Sequence, residues 1–376
     1  MSRPPLPGQP PSLGKLQPAA LAAKAERAFA AGDYPAALRL AQELLGRQPS
    51  DARGLCLLGA MAQRTGSNDV AIGFFTRALA ADPKLAAAHT GLGDAYAATR
   101  RWDEAIAAYN RAAALDPPDA EVVARLATVH LSAGHRDSAI EAFRRAVVID
   151  RHHKLAAYML AELTGDGRRQ QADYVRGVFD HYAPNFDAHL TGTLHYRMPE
   201  EIAARLEAEH PAPFGAILDL GCGAGLVADA LGGGRAAAID GVDVSEKMLE
   251  VARRKGRYRS LHAADLRAFL DRPETKAAGY DLFTAADVFI YVGRLDDVFP
   301  RIAAILPPNG LFAFSVEHLE GDGYAIQPSS RHAHSVAYIA DLAARSGFER
   351  LPAQMLPLRE ENKVAIPGRL ELLRRR

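Results

Sequence analysis

The sequence has few cysteines, no long hydrophobic run and no excess of either charge. Its two cysteines, Cys56 and Cys222, lie far apart in a chain of 376 residues. This argues against a disulfide framework and predicts a reducing compartment, the cytoplasm. No apolar run reaches the ~20 residues that a membrane helix needs. Lys plus Arg and Asp plus Glu number 45 each, so bulk charge indicates neither nucleic acid nor a membrane surface as a partner.

The sequence also lacks the patterns of a metal site and of a signal peptide. No group of His, Cys, Asp or Glu residues has the spacing of metal ligands, so we predict no metal. Residues 1–17 are rich in proline and lack the apolar centre of a signal peptide. They predict a disordered lead.

Residues 18–165 repeat with a period of 34, carried for example by Pro49, Pro83 and Pro117. Alanines, glycines and aromatic residues keep the same phase, which predicts a solenoid of antiparallel helix pairs. The pattern resembles tetratricopeptide repeats, and Leu92–Pro117 is the copy with the best match. We count four repeats, followed by a capping helix over His153–Leu163.

The resemblance implies a concave face lined by the first helix of each repeat. One interpretation is that this face recruits a protein or peptide; the other is that the solenoid packs on its own catalytic domain or on a second copy, as a homodimer. The face lacks the Lys, Arg and Asn cluster with which some family members clamp a peptide carboxylate. The residues predicted to line it are Arg53, Cys56, Ala60, Gln63, Arg64, Ala87, Thr90, Asp94, Ala97, Glu121, Ala124 and Thr128.

The stretch AILDLGCGAGL, residues 216–226, joins an apolar run to alternating glycines. This predicts a buried strand that turns sharply into a helix, as many phosphate- and nucleotide-binding turns do. The spacing is G-x-G-x-G, without the third glycine of the dinucleotide fingerprint. DLGCGAG resembles the first motif of class I S-adenosylmethionine-dependent methyltransferases. The resemblance implies that the cofactor is held here by Asp219, Gly221, Cys222, Gly223 and Gly225.

The same resemblance continues along the chain. The second strand is predicted to end at Asp243, whose carboxylate can accept hydrogen bonds from both ribose hydroxyls. The family pattern places Met248 against adenine, Asp265 on the adenine amino group and the amide after it on a ring nitrogen. The predicted cofactor residues of this part are therefore Asp243, Val244, Met248, Asp265 and Leu266.

Residues 166–212 form a linker with two predicted helices, Gln171–Tyr182 and Pro199–Glu209. Between them FDHYAPNFD resembles the lead-in segment of many class I methyltransferases, which folds over the cofactor as a lid. The alternative is a solvent-side helix whose aromatic residues only pack on the sheet. The residues predicted to face the substrate are Tyr182, Tyr196 and Arg197, together with Tyr324 from a later loop.

Residues 213–376 predict an α/β Rossmann-like class I methyltransferase domain, seven-stranded, with a C-terminal antiparallel hairpin. An all-α tetratricopeptide solenoid precedes it, and this combination resembles a bacterial family of methyltransferases with N-terminal repeats. The predicted strands cover residues 216–220, 235–243, 258–263, 280–285 and 311–316, with closing strands at 350–356 and 369–373.

The methyl acceptor is predicted to bind beyond the fourth and fifth strands. The catalytic candidates there are Asp287, which is also a candidate for the cofactor site, Tyr291 and His318. His318 is the best general base on its usual pKa. DVFIY replaces the Asn/Asp-Pro-Pro-Tyr/Phe motif of enzymes that methylate nucleobase or amide nitrogens, so we predict no nucleic acid partner. Oxygen, nitrogen and carbon acceptors on small molecules or proteins stay open.

Two other functions fit parts of this pattern. A repeat scaffold with a catalytically silent methyltransferase domain is the first, although the cofactor positions are filled as the family requires. A nicotinamide-dependent dehydrogenase is the second, and the glycine spacing and the closing hairpin disfavour it.

Overall fold

The computed structural model describes residues 16–115, 119–165, 168–183, 196–361 and 364–376. The chain forms two compact units, Met1–Ala157 and Tyr158–Arg376. The boundary falls inside the helix Lys154–Thr164, whereas the sequence predicted it after residue 165. The predicted disordered lead lies outside the described residues, apart from Leu16 and Gln17.

Helices make up the described part of the first unit, and consecutive helices pack on one another as four pairs. The last helix, α9, follows the fourth pair where the capping helix was predicted. The helices are α1 (Pro18–Ala30), α2 (Tyr34–Arg47), α3 (Ala52–Arg64), α4 (Asn68–Ala81), α5 (Ala86–Ala98), α6 (Trp102–Ala113), α7 (Ala120–Ser132), α8 (Arg136–Ile149) and α9 (Lys154–Thr164).

Small residues let these helices approach around aromatic rings. A Cβ atom added at Gly59 would lie 2.7 Å from the Phe75 ring, and one at Gly91 would lie 2.3 Å from it. Side chains of the first helices also bond across repeats. Gln63 donates to the carbonyl of Gly91 over 3.0 Å, and Arg125 forms an ion pair with Asp94 at 2.9 Å. Some side chains of the predicted concave face therefore make their contacts within the solenoid.

The second unit contains a sheet with helices around it. Its further helices are α10 (Arg168–Tyr182), α11 (Met198–Glu209), α12 (Leu226–Leu231), α13 (Glu246–Lys255), α14 (Leu266–Leu270), α15 (Pro273–Ala277), α16 (Val298–Ala303) and α17 (Val336–Arg345). Its strands are β1 (Phe214–Leu220), β2 (Ala236–Asp243), β3 (Ser260–Ala263), β4 (Leu282–Ala285), β5 (Leu311–Leu319), β6 (Tyr324–Ile326), β7 (His332–Ser335), β8 (Phe348–Arg350), β9 (Gln354–Glu361) and β10 (Val364–Arg375).

The main path of the sheet runs β3-β2-β1-β4-β5-β10-β8. Strands β1 to β5 run parallel to one another along this path, and β10 is antiparallel to both β5 and β8. This confirms the predicted class I methyltransferase fold with its seven-stranded core. The parallel strands end at one edge, so the residues after β1, β2, β3 and β4 meet there.

The closing part of the sheet differs from the prediction. The predicted strand at 350–356 is two strands, because Pro352 interrupts it and cannot donate to a ladder. Strand β8 pairs with the end of β10, and β9 pairs with its beginning. Beyond the predicted core, β6 and β7 form a small antiparallel pair, and β7 extends the sheet beside the end of β5.

Candidate active site

The turn after β1 needs glycine for two reasons. Gly221 has a φ of +59°, in the left-handed region that strains other residues. A Cβ atom there would also lie 2.6 Å from a methyl carbon of Val288. Gly221 therefore allows the turn to pack closely against the segment that follows β4.

This turn is bonded to the end of β2 through Asp243. The amide of Gly223 donates to Oδ2 of Asp243 over 2.9 Å, and the amide of Ser245 donates to Oδ1 over 2.8 Å. Burial raises the pKa of Asp243 to about 6, while these amide bonds oppose the rise. A carboxylate oxygen can accept more than one hydrogen bond, so Asp243 can still accept from a ligand while the backbone holds it.

A cavity of about 250 Å³ opens at this edge of the sheet. Its wall contains most of the predicted cofactor residues: Gly221, Cys222, Gly223, Asp243, Val244, Asp265, Leu266 and Asp287. Helix α10 contributes an apolar side through Val175, Val178 and Phe179, and Tyr196, Tyr291, Arg331 and Arg359 add aromatic and cationic groups.

Asp219, Met248 and Gly225 are not among the residues that line this cavity. Asp219 is buried, and it accepts from the hydroxyls of Tyr258 and Thr284, each over 2.7 Å. Burial raises its pKa to about 6 against these two bonds. Met248 is fully buried beside Ala224. A Cβ atom at Gly225 would lie 2.9 Å from the Tyr258 ring. These three residues pack around the glycine turn without lining the cavity.

The cavity wall suits the predicted cofactor. The Asp243 carboxylate offers two acceptor oxygens, which matches the two hydroxyls of a ribose. Asp265 caps α14, where its Oδ1 accepts from the amides of Arg267 and Ala268 over 2.9 and 3.2 Å. Apolar Val244 and Leu266 lie beside these carboxylates in the wall. This set of groups fits the adenosine part of S-adenosylmethionine.

Two hydrogen bonds hold helix α10 against the turn that follows β2. The Ser245 hydroxyl donates to Oδ1 of Asp180 over 2.7 Å, and Arg176 donates to the carbonyl of Val244 over 3.2 Å. Helix α10 contains only the first residues of the predicted lid segment, Phe179–Tyr182, and the lid stays a prediction. Of the predicted lid residues, Tyr196 is buried in the cavity wall and Arg197 is exposed at the start of α11. The side chain of Tyr182 and residues 184–195 lie outside the described part.

The other end of the cavity holds a buried ionic cluster. Asp287 has a φ of +54°. Its amide donates to the Ser315 hydroxyl, which donates to Oδ1 of Asp287, both over 2.7 Å. Arg359 lies 3.3 Å from Oδ2 of Asp287 and also pairs with Glu317. Burial raises the pKa of both Asp287 and Glu317, and the Arg359 guanidinium opposes both rises.

Tyr291, predicted as a catalytic candidate, lines the cavity beside this cluster, and its hydroxyl accepts from Nε of Arg331 over 3.3 Å. Arg359 did not emerge from the sequence, because a single arginine near a hairpin is ordinarily a solvated residue. Only the pairing of β9 with β10 carries it to the carboxyl ends of β4 and β5.

His318 and Tyr324 are not at the cavity. An arginine can only donate, so the 2.6 Å contact from Arg369 means that Nδ1 of His318 accepts and carries no proton. Nε2 lies 3.1 Å from Glu320. The basic lone pair of His318 is therefore engaged, and its side chain is not part of the cavity wall. For both reasons His318 lacks the geometry of a general base for a bound acceptor. Tyr324, on β6, packs against the rings of His334 and Tyr338.

No described grouping of three or more His, Cys, Asp or Glu side chains can hold a metal ion. Among the helices that the structure describes, none has the length and apolarity to cross a membrane.

Residues 218–312 match the family described as "Methyltransferase domain". Residues 22–86, 62–120 and 100–163 match families described as "Tetratricopeptide repeat". The second unit thus contains a class I S-adenosylmethionine-dependent methyltransferase domain, as predicted. The chain combines this domain with N-terminal tetratricopeptide repeats.

Curated relatives match part of the chain. The chain is 27% identical over 128 residues to the Ubiquinone biosynthesis O-methyltransferase of Bordetella avium, with 34% of this chain and 50% of that protein covered. It is 36% identical over 107 residues to the Malonyl-[acyl-carrier protein] O-methyltransferase of Halalkalibacterium halodurans, with 27% and 38% covered. The chain thus spans half or less of the length of these relatives.

Among solved structures, the magnesium protoporphyrin IX methyltransferase of Synechocystis PCC 6803 with bound SAM matches with a TM-score of 0.42 and 19% identity. The match covers 55% of this chain and 97% of that one. A tetratricopeptide protein of Thermus thermophilus matches with a TM-score of 0.35 and 24% identity, covering 39% and 81%.

Proposed function

We propose that the protein transfers the methyl group of S-adenosylmethionine to an oxygen atom of an acceptor bound beside Asp287 and Tyr291. The observation that carries this proposal is a single cavity with two different ends. One end offers the Asp243 and Asp265 carboxylates to an adenosine, and the other holds the ionic cluster of Asp287 and Arg359. The two curated relatives named above are both O-methyltransferases, which supports oxygen as the acceptor atom.

Bound S-adenosylmethionine supplies an electrophilic methyl group on a positively charged sulfur. The protein then has to orient the acceptor and exclude water from the methyl group. Helix α10 covers the cavity with apolar side chains, which serves the second need. Asp287 is placed to accept the proton of an acceptor hydroxyl, and its raised pKa makes it a stronger base than an ordinary aspartate. Ser315 and Arg359 hold its carboxylate in place.

The test is labelling of a cell extract with methyl-tritiated S-adenosylmethionine, followed by mild alkali. A methyl ester releases volatile tritiated methanol in alkali. A methyl ether keeps its label through alkali but yields it to hot hydriodic acid, in which iodide takes the methyl group as volatile methyl iodide. An N-methyl group resists both treatments. Label on nitrogen or carbon, or no transfer at all, would overturn the proposal.

The variant Asp287→Asn sharpens this test. It should lower transfer by about 100-fold or more, because the proton acceptor is lost. Its affinity for S-adenosylhomocysteine should stay close to that of the wild type. The exposed Asp271→Asn is the matched control and should leave both quantities unchanged. Parallel loss of affinity in Asp287→Asn would assign Asp287 to the cofactor.

We also infer that the repeats recruit a protein or peptide partner. Support comes from the repeat class itself, since stacked helix pairs commonly bind partners along their inner helices. A matched pair of variants tests this. Ala87 on α5 and Ala107 on α6 are both exposed alanines. The repeat resemblance assigns α5, as the first helix of its pair, to the concave face and α6 to the outer face.

Ala87→Glu should lower methyl transfer to the natural acceptor by about tenfold, since binding energy away from the reacting atoms is lost. Ala107→Glu should not. Sedimentation of both variants tests the alternative that this face binds a second copy of the chain. In that case the wild type is a dimer, and Ala87→Glu dissociates it whereas Ala107→Glu does not. Equal behaviour of the two variants in both assays would contradict a binding role of this face.

A further inference from the structure

Arg331 lies between two residues that are each anchored by α9. The carbonyl of Ser330 accepts from the hydroxyl of Tyr158 over 3.2 Å. Nε2 of His332 lies 3.1 Å from Oε2 of Glu162, and since a carboxylate only accepts, His332 is the donor. The chain is thus held immediately before and immediately after Arg331, which itself lines the cavity.

Both anchors come from one face of one helix. Tyr158 and Glu162 are four residues apart in the sequence and therefore neighbours on the surface of α9. Tyr158 and His332 are almost completely buried. The Tyr158 ring also stacks on Tyr174 of α10, with centroids 4.5 Å apart and planes 7° from parallel. One side chain therefore supports both the loop of Arg331 and the helix that covers the cavity.

The loop needs such support because its backbone is strained. Ser330 has a φ of +63°, which is uncommon for a residue other than glycine. A tight turn closes around it, with the Gln327 amide donating to the carbonyl of Arg331 over 2.7 Å. On the other side His332 packs against Gly293, where a Cβ atom would lie 2.6 Å from the imidazole. Strained backbone of this kind persists only where its surroundings hold it.

We propose that Tyr158 and Glu162 are positioning residues of the acceptor site. By fixing Ser330 and His332, they hold the Arg331 guanidinium against Tyr291 at the acceptor end of the cavity. Acceptor binding in this protein thus depends on the helix that follows the four repeats, which lies outside the matched methyltransferase domain. This inference rests on the function proposed above.

Three variants of the full chain test it. Tyr158→Phe keeps the ring stacked on Tyr174 but removes the hydroxyl that holds Ser330. Glu162→Leu removes the acceptor for His332, whereas Glu162→Gln keeps an amide oxygen that can still accept. Thr164→Ala is the matched control on the same helix, because its hydroxyl donates only to the carbonyl of Leu160 over 2.8 Å.

The first measurement is hydrogen–deuterium exchange of peptides covering residues 327–335, which needs no acceptor. Tyr158→Phe and Glu162→Leu should speed exchange there by about fivefold or more, since the loop opens more often. Glu162→Gln and Thr164→Ala should exchange like the wild type. Titration with S-adenosylhomocysteine should give affinities within about twofold of the wild type for all four.

The second measurement is the initial rate of tritium transfer into a cell extract at several dilutions. Tyr158→Phe and Glu162→Leu should lose rate most at high dilution and recover it in concentrated extract, because binding of the acceptor is what weakens. Unchanged exchange in residues 327–335, or a loss of cofactor affinity equal to the loss of rate, would overturn the positioning role. If the wild type transfers no label, the proposed function fails, while the exchange measurement still decides whether α9 holds the loop.

Discussion

The backbone amide of Gly223 donates to Oδ2 of Asp243 over 2.9 Å, and this contact joins the glycine turn after β1 to the end of β2. The turn therefore does more than leave room for a ligand. It orients a buried carboxylate towards the cavity and satisfies one lone pair of each of its oxygens together with the Ser245 amide. In the function proposed here, the cofactor ribose donates to the two oxygens that this arrangement orients.

Replacing Asp243 should weaken cofactor binding strongly. Asp243→Ala removes two hydrogen bonds to a charged group, so we expect a loss of ~2–4 kcal/mol in the binding of S-adenosylhomocysteine. Titration calorimetry measures it. Asp229→Ala, which breaks only partly exposed ion pairs, is the control. Asp240 is the other acidic residue of β2, but it is occupied by Arg259, Ser260 and Tyr280. An affinity of Asp243→Ala within about twofold of wild type would contradict the assignment.

Cofactor affinity should also fall in mild acid. The pKa of Asp243 is about 6 in the free protein, and ribose hydroxyls that donate to the carboxylate lower it in the complex. The affinity for the cofactor is therefore highest when the pH is above the pKa of Asp243 in the free protein. It decreases as the pH falls through this pKa, by up to about tenfold per pH unit. Calorimetric titrations between neutral pH and about pH 5 measure the slope. Asp243→Asn should bind weakly at every pH and lose the slope; a slope that persists would point to Asp219, whose pKa is also about 6.

Arg359 is expected to stabilise the fold as well as the site. Arg359→Met leaves two buried carboxylates, Asp287 and Glu317, without their cation, and removal of one partner of a buried pair costs about 3–5 kcal/mol. Urea unfolding measures the loss. Adding Glu317→Gln to this variant should restore part of it, since one uncompensated charge is then gone. Arg345→Met, which breaks only exposed pairs, should cost less than about 1 kcal/mol.

The repeats contain one position where a substitution should stabilise the protein. Gly32, Gly66 and Gly134 have positive φ between paired helices, and the equivalent residue of the third repeat is Arg100, with a φ of +58°. Arg100→Gly relieves left-handed strain and should raise the unfolding free energy by ~0.5–1 kcal/mol after the entropy that glycine costs. Thermal unfolding followed by circular dichroism measures it. Gly66→Ala is the reciprocal control and should destabilise by a similar amount.

The sequence predicted those features that depend on local pattern. The 34-residue period located the repeats, and DLGCGAG located the turn together with β1 and α12. The end of β2 at Asp243 followed from the position of one acidic residue after an apolar run. In each of these cases the residues that decide the structure are close together in the chain.

Features that depend on distant contacts did not emerge in the same way. Arg359 reaches Asp287 only through the register of β9 on β10, and no local signal marks it. His318 lies near the carboxyl end of β5, where a base is expected, but Arg369 from another strand engages its imidazole. The contacts of α9 to Ser330 and His332 join residues about 170 positions apart, and no local pattern marks them because the 34-residue period continues through that helix.

The most direct test of the central claim is a calorimetric titration of the full chain with S-adenosylmethionine, S-adenosylhomocysteine and NAD, each with wild type and Asp243→Ala. We expect the first two to bind the wild type at a single shared site, Asp243→Ala to lose this binding, and NAD to give no heat of binding. Absence of binding by both S-adenosyl compounds, or binding of NAD at the same site, would contradict it.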